Sequence, residues 1–386
     1  MKTPRLPAVA LAACLALTTA CAPMACATTS ASATTDLHLQ LPRPTGAHPV
    51  GRDILSLVDT SRKDPWVPAS GPRRLMLSLY YPARSATGDP APYMTEQEAA
   101  SLIQRKVPGT GLTAEAISGT RTYARTGARP EPGRHPLVML SPGLGLPRAS
   151  LTALAEDLAS RGYVVASIDH AYESSGTTFP GAGLLTCAPL CDQPRHPEGG
   201  KATITKNRAK DVSFILDRLT GRHPAWKHAG LIDPKRIGMA GHSLGGDAAS
   251  ATMLTDTRVK AGINLDGTIN ATLPATGLGD RPFLLMGSQS DHSPAKDHTW
   301  DGTWPVLNGW KRWLTVAQAE HDSFTDLSIA ASKAGLSDPG TIAAERGIAI
   351  TRAYVAAFFD QHLKGRAQPL LDAPTPGNPE VAFHSP

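Results

Sequence analysis

The sequence predicts an α/β fold, in which a mostly parallel central sheet carries helices on both of its faces. Short apolar runs alternate with segments of helical periodicity from about residue 72 to the C-terminus. Hydrophobic residues make up 41% and charged residues 18% of the 386 residues, so the chain can bury one large core. Polar residues suited to catalysis follow the ends of several apolar runs, which is where such sheets place their active sites.

Strands and helices alternate along the predicted core. The apolar runs of strand length are Leu75–Tyr81, Pro136–Leu140, Tyr163–Ile168, Arg236–Ala240, Val259–Leu265, Phe283–Met286 and Trp313–Val316. Helical spacing of apolar residues predicts helices over Leu151–Leu158, Val212–Leu219, Gly245–Leu254 and Ile348–Leu363, with a shorter helix at Glu96–Arg105. Strands separated by helices pair in parallel and are covered on both faces.

The N-terminus has the pattern of an export signal. Lys2 and Arg5 precede an apolar stretch, and small residues follow it up to a cleavage position after Ala27. The stretch is too short to span a bilayer. The predicted organisation is therefore a signal peptide over 1–27, a linker over 28–50 rich in Thr, Ala and Pro, and a catalytic domain over 51–386. We expect a secreted protein.

A lipid anchor remains an alternative to free secretion. Cys14 and Cys21 each follow residues that resemble a bacterial lipoprotein cleavage box, in which the cysteine becomes the lipidated first residue. Such an anchor would hold the protein at the surface of the cell envelope. The net charge of +5 is small for this length and no run of Lys and Arg occurs, so nucleic-acid binding is not expected.

Two cysteines remain after removal of the predicted signal peptide. Cys187 and Cys191 lie four residues apart in a loop-like segment, and in an oxidising compartment this spacing favours a disulfide over a metal or redox site. The segment, residues 171–200, follows a predicted strand end. It is therefore placed to cover the mouth of a pocket as a lid.

The strongest catalytic motif is Gly241-His242-Ser243-Leu244-Gly245, between a predicted strand and a helix of small residues. A serine at this strained turn exposes its hydroxyl, and glycine two residues away on either side avoids a collision with the neighbouring backbone. The following helix N-terminus favours developing negative charge. Ser243 is therefore the predicted nucleophile, and His242 is expected to pack away from its hydroxyl.

A serine hydroxyl needs a base, and the base needs an acid to orient it. His321 follows the last predicted strand, where the Ser, acid, His order of this motif places the base. Two residues compete for the acid. Asp266 follows Val259–Leu265, and Asp291 follows Phe283–Met286. Either loop could reach His321, so these residues alone leave the choice open.

The order of several motifs resembles the platelet-activating factor acetylhydrolase family, in its secreted lipoprotein-associated type and bacterial relatives, within the α/β-hydrolase superfamily. These motifs are Ser-Pro-Gly-Leu-Gly at 141–145, Ile-Asp-His at 168–170, Gly-His-Ser-Leu-Gly-Gly at 241–246, Leu-Asp-Gly at 265–267, the strand at 282–287 and Glu-His-Asp-Ser-Phe-Thr-Asp at 320–326. The likeness covers roughly residues 72 to 364. It implies an α/β-hydrolase fold and favours Asp266 over Asp291 as the acid. It also implies an oxyanion hole formed by the backbone amides of Leu144 and Leu244.

The expected activity is hydrolysis of carboxylic esters through an acyl-enzyme on Ser243, with no metal or organic cofactor. By resemblance, the expected substrates are short-chain or truncated acyl esters, including phospholipids, bound by a monomer. Two alternatives remain. One is a secreted lipase or polyester hydrolase, which shares the fold and the export signal. The other is a non-catalytic lipid-binding envelope protein on the same scaffold.

Overall fold

The computed structural model describes residues 37–193 and 197–386. The predicted signal peptide, its cysteines and the first part of the predicted linker lie outside the described residues. The strands are β1 (Val50–Lys63), β2 (Pro72–Pro82), β3 (Asp89–Pro90), β4 (Arg125–Thr126), β5 (His135–Ser141), β6 (Val164–His170), β7 (Thr177–Phe179), β8 (Gly183–Leu185), β9 (Ile232–His242), β10 (Val259–Leu265), β11 (Gly277–Asp280), β12 (Phe283–Ser288), β13 (Lys311–Val316) and β14 (Val381–His384).

The α-helices of the described chain alternate with these strands. They are α1 (Glu96–Lys106), α2 (Ala114–Ser118), α3 (Thr152–Ser160), α4 (Ala188–Cys191), α5 (Gly200–Thr220), α6 (Leu244–Thr255), α7 (His298–Thr303), α8 (Leu327–Lys333) and α9 (Ala344–Lys364). Short 3-10 helices occupy Pro68–Ser70, Arg148–Leu151, Ala229–Leu231, Trp304–Val306, His321–Phe324 and Pro369–Leu371. No helix in residues 37–193 or 197–386 combines the length and the apolar character that crossing a membrane requires.

The large sheet has the strand order β14-β13-β12-β10-β9-β5-β6-β2-β1-β4-β3. Its centre, from β13 to β6, is parallel throughout. Antiparallel partners flank this centre, with β14 on β13 at one side and β2 on β6 at the other. The predicted α/β fold with a mostly parallel sheet is confirmed, and every predicted strand lies within or close to an observed one.

Both faces of the sheet are covered, because neighbouring strand residues belong to different apolar clusters. In β5, Val138 and Leu140 pack in a cluster with α3 and α9, whereas Leu137 and Met139 pack in a cluster with α5 and α6. This alternation follows from the period of two in a β-strand. The parallel strands are therefore continuous apolar runs in the sequence, and this pattern allowed their prediction.

The N-terminal part of the domain differs from the sequence expectation. Strand β1 pairs with β2 over most of its length but was not predicted, because it presents alternate residues to solvent and has no continuous apolar run. Ile54 and Val58 on it are 50% and 44% exposed. Within residues 37–49, which the sequence assigned to the linker, Leu39 and Leu41 are buried, at 4% and 2% exposed.

A buried carboxyl on α3 should make the stability of the fold depend on pH. Burial raises the pKa of Glu156 to about 7, although the Tyr123 and Ala124 N–H groups bonded to it and the charge of Arg352 lower it. Because the pKa of Glu156 is higher in the folded than in the unfolded chain, protonation of this carboxyl favours folding. This contribution to the free energy of unfolding is fully present below the ordinary pKa of Glu, and it is lost as pH rises through about 7. Glu156→Gln keeps the oxygen that accepts both N–H groups. We expect it to raise the free energy of unfolding by up to about 3 kcal/mol above pH 8, with no gain below pH 4.

Urea unfolding at pH 4, 6 and 8 measures this effect. Glu115→Gln on the exposed surface of α2 is the control and should leave the pH dependence unchanged. An equal effect of Glu156→Gln at all three pH values would show that Glu156 is not the titrating group.

Candidate active site

Ser243 occupies a strained turn between β9 and α6. Its φ of 54° and ψ of −124° lie in a region that non-glycine residues rarely adopt. The turn needs glycine on both sides. A Cβ atom on Gly241 would lie 2.1 Å from the carbonyl of Gly245, and one on Gly245 would lie 1.9 Å from the carbonyl oxygen of Ser141. The structure thus contains the sharp strand-to-helix turn that the motif predicted.

His321 and Asp266 form a hydrogen-bonded pair. The Nδ1 atom of His321 lies 2.5 Å from Oδ2 of Asp266, which follows β10 and is buried. The other oxygen of Asp266 accepts the Ser288 N–H at 2.6 Å. Asp266 has a positive φ of 56°, a backbone conformation that Asp tolerates better than most residues. Its N–H donates to the Met286 carbonyl, which fixes this conformation. The His321 side chain remains half exposed.

Asp291 is not bonded to His321. Its carboxylate accepts hydrogen bonds from the hydroxyl groups of Ser288 and Ser290, at 3.2 Å and 3.3 Å. It lines the same cavity as Asp266 and His321. Of the two acids that the residues alone left open, the structure brings Asp266 to the imidazole.

The Asp266 carboxyl is ionised in this environment. Burial raises its pKa, but the hydrogen bond from His321, the charges of His292 and His321 and the Ser288 N–H together hold the pKa below its usual value. A buried carboxylate that accepts several donors is stabilised in its charged form. The pair therefore presents a negative charge to the Nδ1 side of His321.

His242 contacts His321, a role that the motif did not reveal. It is fully buried, and its Nε2–H donates to the backbone carbonyl of His321 at 2.8 Å. The two rings lie 4.5 Å apart between centroids. Burial, helped by the charge of His321, lowers the pKa of His242 to about 4, so the ring is neutral at pH 7. His242 thus holds the His321 backbone in place.

One cavity of about 490 Å³ contains the predicted residues together. Its lining residues are Leu144, Lys201, Ser243, Leu244, Asp266, Thr268, Asn270, Asp291, His292, Lys296, Asp297 and His321. Leu244 is the first residue of α6, so its N–H has no partner inside the helix. Within the described parts of the chain, the Leu144 N–H also has no hydrogen-bond partner. Both amides are therefore available to an oxygen atom in the cavity.

A buried arginine holds the loop that carries Leu144. Arg208 on α5 donates to the Pro142 carbonyl at 2.5 Å and to the Ser141 hydroxyl at 3.1 Å. It also donates to the Glu173 carboxylate at 2.7 Å, while the Glu173 backbone carbonyl accepts the Gly145 N–H at 2.8 Å. Both ends of the loop are thus fixed from behind, which leaves the Leu144 amide in a defined orientation.

The polar side chains around Arg208 and Glu173 form a buried cluster that includes three residues with the chemistry of metal ligands. Ligand atoms of His170, Glu173 and Asp211 lie within 4.8 Å of one another. Arg73 donates to Glu173 at 2.6 Å and to Asp211 at 2.8 Å, and Arg208 holds the second oxygen of Glu173. Burial alone would raise the pKa of Asp211, but Arg73 and His170 hold it well below its usual value. With its carboxylates already neutralised by guanidinium groups, the cluster is an ion-pair network that supports the loop.

The predicted lid segment, residues 171–200, is largely structured where it is described. It contains the β7–β8 hairpin and α4, and Cys187 and Cys191 form a disulfide, as the spacing predicted. The disulfide packs behind the same loop, because a Cβ atom on Gly145 would lie 4.0 Å from each sulfur. Movement of the segment over the cavity stays a prediction.

A family model described as platelet-activating factor acetylhydrolase, isoform II, matches residues 33–182. A probable 1-alkyl-2-acetylglycerophosphocholine esterase from Arthroderma benhamiae is 28% identical over 384 residues, which covers 89% of this chain and 93% of that protein. A platelet-activating factor acetylhydrolase from Bos taurus is 24% identical, over 84% of this chain and 77% of that protein.

A solved structure of a ferulic acid esterase from Streptomyces cinnamoneus is also similar. It shares 43% sequence identity and superposes with a TM-score of 0.80, covering 90% of this chain and 99% of that one. The likeness therefore covers nine tenths of this chain and nearly all of the esterase.

Proposed function

Because the chain belongs to the platelet-activating factor acetylhydrolase family of α/β-hydrolases and is a serine esterase, we propose that Ser243, His321 and Asp266 form its catalytic triad. The observation that carries this proposal is the 2.5 Å contact between His321 and Asp266 in the cavity that Ser243 lines. The order Ser, Asp, His along the chain is that of α/β-hydrolases.

Asp266 determines which nitrogen of His321 acts as the base. Its carboxylate accepts the Nδ1–H, so the Nε2 nitrogen is unprotonated and can take a proton. As the Ser243 oxygen bonds to the ester carbonyl carbon, the hydroxyl proton moves to Nε2 and the carbonyl electron pair moves to oxygen. His321 then gives this proton to the leaving alcohol as the C–O bond breaks. Water repeats both steps on the acyl-enzyme and regenerates Ser243.

The Leu144 and Leu244 amides are the proposed oxyanion hole. Both line the cavity beside Ser243, and their N–H groups are free to donate to the oxygen that becomes negative. This assignment is supported by the fixed positions of the two amides. Arg208 and Glu173 hold the Leu144 loop, and the helix fixes Leu244. Donors held in place before the reaction need no reorganisation when charge develops.

The proposed substrates are small esters with a short acyl group and a polar alcohol portion, such as phospholipids with a short or truncated acyl chain. A cavity of about 490 Å³ accommodates a small molecule rather than a long chain. Its walls carry uncharged polar residues, two lysines and three aspartates: Thr268, Asn270, Lys201, Lys296, Asp266, Asp291 and Asp297. This polar lining suits a polar alcohol portion beside the scissile ester.

A second candidate substrate class is esters of hydroxycinnamic acids. The observation that favours it is the 43% identity to the ferulic acid esterase over 90% of this chain. A compact aromatic acyl group would place the same carbonyl carbon next to Ser243 and needs no change in mechanism.

A substrate series separates these proposals. We expect kcat/KM to fall at least about tenfold between 4-nitrophenyl butyrate and 4-nitrophenyl palmitate, because a small cavity cannot enclose the longer chain. Phosphatidylcholine with an acetyl group at the second position should likewise exceed its palmitoyl counterpart. Methyl ferulate as the best substrate would favour the second class. Preference for triglyceride or polyester film would favour the lipase or polyester hydrolase alternative and contradict the proposal.

The proposed location of the protein is outside the cell. The charged, apolar and small-residue order of residues 1–27 supports a signal peptide, and the Cys187–Cys191 disulfide suits an oxidising compartment. We propose a protein secreted as a monomer, with a lipid anchor at Cys14 or Cys21 as the alternative. The mass of the mature N-terminal peptide distinguishes cleavage after Ala27 from lipidation at either cysteine.

A further inference from the structure

A second histidine faces the carboxylate that holds His321. The Nε2 atom of His292 lies 3.5 Å from Oδ1 of Asp266, whereas His321 contacts Oδ2. Its Nδ1 atom lies 2.7 Å from Oδ2 of Asp297. His292 therefore stands between two carboxylates, and Asp266 stands between two imidazole rings.

The position of His292 is fixed from several directions. Its ring stacks on Trp300 with centroids 4.3 Å apart, and its backbone carbonyl accepts the Trp313 indole N–H at 2.6 Å. Gly287 permits the approach, because a Cβ atom there would lie 2.8 Å from the His292 ring and 3.0 Å from Asp266 Oδ1. Asp297 is held in turn by Thr299, whose hydroxyl and N–H groups donate to it. Such a fixed arrangement is not that of a solvated surface histidine.

The two carboxylates determine the charge of His292. A neutral imidazole has one N–H, so one of the two acidic oxygens would face an unprotonated nitrogen. An imidazolium ion satisfies both. Consistent with this geometry, burial lowers the pKa of His292, but Asp297, Asp266 and Asp291 together raise it above its ordinary value.

We propose that His292, as an imidazolium ion, is a positioning residue that acts on the base through Asp266. This inference rests on the proposed triad. The positive charge of His292 offsets part of the negative charge of Asp266 that His321 experiences. The proposed consequence is that the acidic limb of the kcat/KM profile lies at a lower pH than it would without the charge of His292.

Among the described residues, Asp266 and Asp297 contact His292, and Asp291 lies one residue before it. Lys201, Lys296 and His321 line the same cavity, and His242 packs against the His321 ring. Removal of His292 leaves the Asp266 charge uncompensated on this side. We expect His292→Gln to raise the pKa of His321, and with it the acidic limb of the kcat/KM profile, by about one pH unit.

Two readouts test this inference. NMR titration of the histidine ring protons, assigned with His321→Asn, gives the pKa of His321 whether or not the protein is active. The pH dependence of kcat/KM on a short nitrophenyl ester gives the same limb from kinetics. Loss of packing would lower the height of the profile without moving the limb.

His298→Gln is the matched control, because His298 lies nearby on α7 with its side chain 89% exposed. It should leave both readouts unchanged. A His321 pKa and an acidic limb that stay in place or move to lower pH in His292→Gln would overturn the inference. An active enzyme with an unmoved limb would contradict this inference alone. A wild type without esterase activity would contradict the proposed function, while the NMR titration would still decide the role of His292.

Discussion

Ser243→Ala should lower kcat on a short nitrophenyl ester by at least about 10⁴-fold and leave KM within a few-fold of wild type. The reason is that the hydroxyl forms the covalent bond in both halves of the reaction. No other hydroxyl group lines the cavity at a strained turn of this kind in the described chain. The remaining amides of Leu144 and Leu244 would still polarise a bound carbonyl, so a small residual rate above that of water is expected.

The structure of Ser243→Ala should be preserved, because alanine replaces a half-buried serine in the same backbone conformation. Circular dichroism and thermal unfolding check this. Ser290→Ala, an exposed serine of the loop after β12, is the control and should retain full activity. A Ser243→Ala variant with more than a tenth of wild-type kcat would mean that the nucleophile is elsewhere.

Asp266→Asn should lower kcat by about 10⁴-fold, and Asp291→Asn by less than about tenfold. An amide at position 266 no longer supplies a negative charge, and its NH₂ group can donate to Nδ1 of His321. The Nε2 nitrogen then carries the proton and cannot act as a base. Asp291 instead accepts from two serine hydroxyls, so its replacement leaves the hydrogen bond that orients His321 in place.

Steady-state kinetics on the two variants ranks the acids directly, since both substitutions are isosteric and both residues line one cavity. Unfolding measurements on each variant show whether a loss of activity comes from a loss of stability. The reverse ranking, with Asp291→Asn the more damaging change, would assign the acid to the later strand and contradict the triad proposed above.

The central sheet could be predicted from the sequence because its strands are buried on both faces. β10 begins and ends at the predicted residues, Val259 and Leu265. β1 could not be predicted in the same way, because one side of it is exposed and polar residues such as Ser56 interrupt its apolar ones. The short strands β3, β4 and β11 contain too few residues to form a pattern. They depend on the neighbours that the fold brings to them.

The candidate site likewise contains residues that a local motif predicts and residues that only the fold brings together. Ser243 was predicted because a strained turn requires glycine at fixed positions, which leaves a local motif. His242, His292 and Arg208 act through contacts between residues far apart in the chain, such as the bond from His242 to the His321 carbonyl. No local spacing encodes such contacts. The His292-x₄-Asp297 spacing after a strand end was the one available signal, and it has no meaning until Asp266 is placed beside it.

The most direct test of the proposed mechanism is labelling with a fluorophosphonate, followed by peptide mapping. We expect one probe per molecule, bonded to the Ser243 oxygen, in the folded wild-type protein. We expect labelling to be slower by orders of magnitude in His321→Asn, which lacks the base. An adduct on a different residue, or a rate of labelling that does not depend on His321, would contradict the pairing of this serine with this histidine.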